Sequence, residues 1–292
     1  MNKLLATTGN GVFFETHIAL DPTPINGIRV RSIMTGVCRS DIDMMNGNFG
    51  PLPLGMQGHE GLGEVIEVGK LVYDIQVGDL VATRGEPAYA DFYNVRPGEY
   101  VQVPEAHPRY IIEPVACGVN SVNQYYYHLK RKEGGRLLIN GTGFLSYVAY
   151  TTLKISNFNF EIDVLGNHHQ ELFGRDHKKS YDGEYDVIMD FKGDDLYPIA
   201  TNGILVNAVG KATTKQTEDH LLWNCVTTVR PSPRSKTFHQ SMEYAVKWIK
   251  EGQLNVDRFW TRAYNRRTEW QQAFQDGNFR PTNYGRGYIV WP

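Results

Sequence analysis

The chain has 292 residues, 41% hydrophobic and 21% charged, with a net charge of −2. That balance offers no electrostatic grip on nucleic acid or an anionic membrane, and a chain of this length buries a sizeable core without staples. Cys38, Cys117 and Cys225 are widely spaced and form no CxxC pair, which excludes a disulfide framework and points to a reducing, cytoplasmic compartment.

The opening "MNKLLATTGNGVFF" has one early lysine, but Thr7 and Asn10 break its apolar run, so no secretory leader is expected. No run approaches the ~18 apolar residues of a membrane span. From Asn10 to about Arg109, glycine, proline and short β-branched runs such as "IRVRSIM", "GEVIEVG", "GDLVATR" and "EYVQVPE" predict a β-rich domain. "GEVIEVG" alternates only in part, because Glu64 and Glu67 flank Val65 and Ile66.

After Glu113-Pro114 the pattern changes. "PVACGVNSVNQYYYHLK" predicts a helix with Pro114 in its first turn. "GGRLLINGTGFLSYVAYTTLKISNFNFEIDVLGN" predicts a strand, a glycine turn, a helix and a second strand. "YDVIMDFKG", "NGILVNAVG" and "LLWNCVTTVRP" predict three more strands, and "HQSMEYAVKWIKEGQL" an amphipathic helix. The tail from Arg258 holds one more helix and a final strand ending at Trp291. Strands alternating with helices imply an α/β fold with a parallel, doubly wound sheet.

Two stretches carry the chemistry. "GVCRSDIDMMNG" surrounds Cys38 with Arg39, Ser40 and Asp41, and "GHEGLGEVIEVG" sets His59 beside Glu60. Cys38, His59 and Glu60 are soft, borderline and hard donors suited to zinc, and Glu113 is a further candidate. Each has an ordinary structural explanation when taken alone, since free cysteine is usually a small buried hydrophobe. Their shared setting in glycine-rich turns, away from periodic apolar faces, favours a common task. In "RLLINGTGFLS", Gly141, Thr142 and Gly143 lie between a strand and a helix, with Ser146 at the third glycine position of G-x-G-x-x-G. Small residues there permit a tight turn and close approach of a pyrophosphate to a helix N-terminus.

"GVCRSDIDMMNG", "GHEGLGEVIEVG", "VGDLVA", "EPVACG" and the glycine turn occur in the order seen in zinc-dependent medium-chain dehydrogenases/reductases, the alcohol dehydrogenase superfamily, which the chain resembles over nearly its whole length. The resemblance implies a GroES-like β-rich catalytic domain at 1–119, completed by 255–292, and a Rossmann domain at 120–254. Glutamate at 113, where simple alcohol dehydrogenases carry a cysteine, "NHHQE" and "GRGYIVWP" are similar to the polyol and glucose dehydrogenase branch. Two features depart from the pattern. The lobe of four close cysteines that holds a structural zinc is missing from "GDLVATRGEPAYADFY", so at most one zinc is expected, and position 85 is glycine where glucose enzymes carry a sugar-contacting asparagine.

Carried onto this chain, the resemblance implies a zinc held by Cys38, His59 and either Glu60 or Glu113, with Cys117 as an alternative third ligand. The zinc would act as a Lewis acid on an alcohol, polyol or sugar hydroxyl whose hydride passes to NAD(P). Ser40 would begin the proton relay, Asp41 would orient His59, and Arg39 would face the pyrophosphate. The second Rossmann strand should end near Leu165–Asn167, where NAD enzymes place an acidic residue. Asn167, His168 and His169 stand there instead, favouring NADP. Glu161 and Asp163 fall too early in the strand. A small-molecule substrate, a homo-oligomer, and no nucleic-acid or membrane partner are the corresponding expectations. The rival readings are a zinc-free quinone or enone reductase of the same fold and a non-catalytic nucleotide-binding protein.

Overall fold

The structure is a computed structural model that describes residues 2–50, 53–55, 57–193, 198–209 and 226–292. Cys225 and the first half of the strand predicted in "LLWNCVTTVRP" lie outside the described residues. The chain begins with β1 (Asn2–Ala6), β2 (Phe14–Ile18) and β3 (Ile28–Gly36), then the short helix α1 (Arg39–Met45). Next come β4 (Gly61–Val68), β5 (Leu80–Thr83), β6 (Phe92–Val95) and β7 (Tyr100–Gln102). Helices α2 (Glu113–Asn123) and α3 (Tyr126–Lys130) lead to β8 (Arg136–Asn140), α4 (Phe144–Ile155) and β9 (Glu161–Leu165). They are followed by β10 (His177–Lys178), β11 (Tyr185–Asp190), β12 (Ile199–Asn207) and β13 (Thr227–Val229). The last elements are α5 (Phe238–Lys250), β14 (Trp260–Asn265), α6 (Trp270–Phe279) and β15 (Arg286–Val290).

The chain divides into two compact units, Met1–Pro114 with Met242–Pro292, and Val115–Ser241. Both divisions fall inside helices, α2 and α5, where no composition shift marks them. Boundaries at 119 and 254 are therefore where sequence alone draws the lines.

In the first unit β3 is the organising strand. It pairs antiparallel with β4, with β6 and with β15, in a sheet ordered β14-β15-β3-β4-β5-β7. The imperfect alternation of "GEVIEVG" has a physical cause: the β3–β4 register jumps between Arg29/Glu67 and Val30/Val65. The extra residue is a bulge that returns Glu67 and Glu64 to the side of Arg29 and Arg31, with which they form ion pairs. Val30, Val65 and Val81 stay buried beneath. Strand β14 escapes a sequence reading because "WTRAYN" is an exposed, polar edge that pairs parallel to β15.

In the second unit six parallel strands run in the order β10-β9-β8-β11-β12-β13, so the order reverses between β8 and β11. Alternate residues bury opposite faces. Leu137, Ile139, Val187 and Met189 pack under Ala149 and Leu153 of α4, while Leu138, Ile188 and Leu205 fill the other face. Burial on both faces explains their uninterrupted apolar runs. This is a Rossmann-type sheet. At its carboxyl edge, Asn140, Asp190 and Asn207 stand in register on three adjacent strands. The helix predicted as one over "PVACGVNSVNQYYYHLK" is two. Gln124 and Tyr125 leave the helical run, and their side chains bind the Ser232 N–H and the Arg230 carbonyl.

Candidate functional site

Cys38 lies two residues beyond the end of β3, and His59 and Glu60 lie just before the start of β4. Because Thr35 pairs with Gly61, the antiparallel ladder carries these residues to one place from positions far apart in sequence. The Cys38 sulfur, a His59 ring nitrogen and a Glu60 carboxylate oxygen lie within 4.8 Å of one another. The two motif glycines make the room. A Cβ at Gly36 would overlap Glu60 Oε2, and one at Gly58 would come to 2.6 Å from the Tyr89 ring and backbone nitrogen.

Asp41 is fully buried and organises the group. Its Oδ2 accepts the Cys38 N–H at 3.0 Å and the Tyr89 hydroxyl at 2.8 Å, and its Oδ1 accepts the Gly58 N–H at 3.3 Å. Oδ1 also stands 3.6 Å from His59 Nδ1, which leaves Nε2 on the side of Ser40, whose Oγ is 3.4 Å away. Burial pushes the Cys38 thiol up, and the charge of Glu60 adds to it. Burial works to lower the His59 pKa, yet Asp41, Cys38 and Glu113 hold it well above its ordinary value. Asp41 itself is raised, chiefly by burial.

Glu60 is fully buried and holds the guanidinium of Arg286 with both carboxylate oxygens. Arg286 opens β15, and its guanidinium also lies 5.0 Å over the Trp260 ring. Burial opposes its charge, but Glu60 and Cys38 keep it charged. Neither Arg286 nor Tyr89 carries a local sequence signal. Arg286 reaches Glu60 only through pairing of β15 with β3, and Tyr89 sits among apolar and aromatic neighbours that read as core.

The donor types, one thiol, one imidazole and one carboxylate, fit a zinc ion, and they lie within 4.8 Å of one another. Glu113, the first residue of α2, is buried and stands outside this trio, although its charge acts on both His59 and Arg286. Cys117, one helical turn later, is half-buried and also outside it. Arg39 is exposed and pairs with Asp43 at 3.3 Å across one turn of α1.

The predicted glycine turn joins β8 to α4. Gly141 adopts φ +126°, and its N–H bonds the Leu165 carbonyl at 2.7 Å. Gly143 is the N-cap of α4, and among the described residues nothing lies within 4 Å of where a side chain would project. Ser146 Oγ is buried and has no hydrogen-bond partner among the described residues. The N-terminus of a twelve-residue helix, with this hydroxyl in its first turn, fits a dinucleotide pyrophosphate. Beyond β9, Asn167 and His168 are exposed and His169 is half-buried. Asp163 faces Arg136 at 3.0 Å and Tyr185 at 2.8 Å. It is consumed within the sheet.

The alcohol dehydrogenase GroES-like domain matches residues 25–110. Among curated proteins, the chain is 39% identical over 84 residues to an L-threonine 3-dehydrogenase of Saccharopolyspora erythraea, covering 27% of this chain and 24% of that one. It is 30% identical over 105 residues to a probable quinone oxidoreductase of Leishmania amazonensis, covering 35% and 31%. The match thus spans under a third of the length of either relative. Whole-chain similarity appears in solved structures. TarJ of S. aureus in complex with NADPH superposes with a TM-score of 0.78 at 18% identity, covering 100% of this chain and 99% of that one. An E. coli CFT073 short chain alcohol dehydrogenase in complex with NADH gives 0.79 at 13% identity, covering 99% of each. No helix among the described residues is long and apolar enough to cross a membrane. The GroES-like domain of alcohol dehydrogenases thus lies on β3 to β7, and the chain shares its fold, a GroES-like unit and a Rossmann-type unit, end to end with these solved structures.

Proposed function

We propose that the protein is an oxidoreductase that moves hydride between the hydroxyl carbon of an alcohol, polyol or sugar and a nicotinamide dinucleotide, with one zinc ion per chain. The observation that carries this reading is the Cys38–His59–Glu60 trio within 4.8 Å. Cys38 and His59 are two ligands, and Glu60 is the nearer candidate for the third, with Glu113 the other. When bound, zinc supplies Lewis acidity toward the substrate hydroxyl and the nicotinamide supplies the hydride acceptor.

The chain's own residues do the rest. Asp41 fixes the His59 ring with Nδ1 toward its carboxylate, so that Nε2 is the nitrogen presented to the ion. Ser40, beside Nε2, takes the first place in a proton path from the substrate hydroxyl to solvent. Arg286 neutralises Glu60 and limits the negative charge around the ion. On the second unit, Gly141, Gly143 and Ser146 receive the pyrophosphate. The loop Asn167–His169 offers no carboxylate to repel a 2′-phosphate, which supports NADP as the preferred cofactor.

Elemental analysis of purified protein should find close to one zinc per chain. Cys38→Ser should lose metal and turnover together, while Cys117→Ser keeps both. Full activity in a metal-free preparation would refute the reading and favour the zinc-free reductases of this fold. A screen of alcohols, polyols and sugars with NAD and NADP identifies the substrate class. His168→Ala/His169→Ala should weaken NADPH binding and leave NADH binding nearly unchanged.

A further inference from the structure

Gly166 follows β9 directly, at the place where a dinucleotide-binding chain carries the residue that reads the adenosine ribose. No side chain fits there. A Cβ on Gly166 would overlap Thr142 Oγ1, and would stand 2.7 Å from Thr142 Cγ2 and 2.9 Å from Thr142 N. The space an acidic selector would need is filled by the middle residue of the glycine turn.

Thr142 is also bonded to the same loop. It is 3% exposed, and its Oγ1 accepts the His168 N–H at 3.0 Å. The Gly166 carbonyl is tied from the other side by His177 Nε2 at 2.9 Å and Gln170 Nε2 at 3.4 Å. Between these ties His169 adopts the left-handed conformation, φ 47° and ψ 33°. Such a conformation is uncommon for a residue other than glycine and persists where the surroundings impose it. The loop Gly166–Gln170 is therefore held in one shape, and the Thr142 hydroxyl is the tie that comes from the phosphate-binding turn.

We propose that Thr142 is a positioning residue for cofactor selectivity: by excluding a side chain at 166 and anchoring the His168 amide, it moves ribose recognition onto residues 167–169. This rests on the dinucleotide reading above and adds to it the residue that shapes the selector. Thr142 acts through the loop, so its effect should fall on the difference between the two cofactors and not on the pyrophosphate they share.

The test is direct binding of NADPH and NADH to the full-length protein by fluorescence titration, in wild type, Thr142→Val and Thr142→Ser. Valine keeps the shape and removes the acceptor; serine keeps the acceptor. Thr142→Val should change the ratio of the two dissociation constants by about fivefold or more, the usual worth of one lost side-chain hydrogen bond, with Thr142→Ser close to wild type. Hydrogen exchange should quicken at the His168 amide in Thr142→Val only. Thr142→Ala serves both measurements should the valine variant fail to fold. Equal weakening of both cofactors, or an unchanged ratio with unchanged exchange, overturns the proposal. A wild type that prefers NADH ends the NADP preference but leaves this inference standing if the ratio still moves. A wild type that binds neither dinucleotide overturns both.

Discussion

The Tyr89 hydroxyl donates to Asp41 Oδ2 at 2.8 Å and also reaches the Gly36 carbonyl at 2.9 Å, so one buried phenol ties together the strand, the helix and the carboxylate that frame the candidate metal site. Tyr89→Phe should cost about 1–3 kcal/mol in chemical denaturation, because it leaves the buried Asp41 short of a donor. Asp41→Asn should weaken zinc affinity by roughly 10–100-fold, the usual effect of losing a residue that orients a ligating histidine. A chelator-competition assay measures it, and an affinity equal to wild type would mean that the His59 ring is held by packing alone.

Removing one member of the Glu60–Arg286 pair strands a buried charge. Arg286→Met should lower stability by about 3–5 kcal/mol. Glu60→Leu/Arg286→Met should recover much of the loss in the metal-free protein, since a buried pair adds little net stability over an apolar replacement. Denaturant titrations of the two single variants and the double variant give the coupling. Additive losses would show that the two side chains are independent.

Ser40→Ala should reduce turnover by about 10²-fold or more while zinc stays bound, as removal of a general acid–base group commonly does. Steady-state rates with metal content measured on the same sample check it. Unchanged turnover would mean that water carries the proton without Ser40.

Asp276 on α6 accepts from Arg262 at 2.8 Å, Tyr264 at 2.6 Å and Gln272 at 2.6 Å. Burial opposes its charge, but these donors prevail and hold the carboxyl below the usual aspartate value. A folded-state value below the unfolded one stabilises the protein above about pH 4 and loses that contribution as pH falls through the depressed value. Asp276→Asn should therefore cost about 1–3 kcal/mol at pH 7, with a gap to wild type that closes in acid. Thermal melts from pH 7 to pH 3 follow it.

The parallel sheet was legible because its strands are buried on both faces and their apolar runs are unbroken, as in "RLLIN" and "YDVIMD". Cys38, His59 and Glu60 were legible as chemical oddities in glycine turns, and their convergence follows from the pairing of Thr35 with Gly61. What sequence could not give is what depends on distant pairing. Arg286 sits on a strand whose partner, β3, lies some 250 positions earlier, and nothing in "GRGYIV" announces an ion pair. Tyr89 reads as core because its ring is core, stacked edge-on to Phe13 and Phe274; only its hydroxyl serves the site. Strand β14 was lost for the opposite reason, since an exposed edge needs no apolar alternation.

Glu60 and Arg286 are 226 positions apart, with the whole of the Val115–Ser241 unit between them in the chain. During synthesis from the N-terminus at ~5–20 residues per second, the carboxylate waits roughly 10–45 s for its counter-ion to be made. Until then neither Arg286 nor β15, the strand that carries it and pairs with β3, exists, so the enclosure of Glu60 by its counter-ion can be completed only after the last strand of the chain has been made.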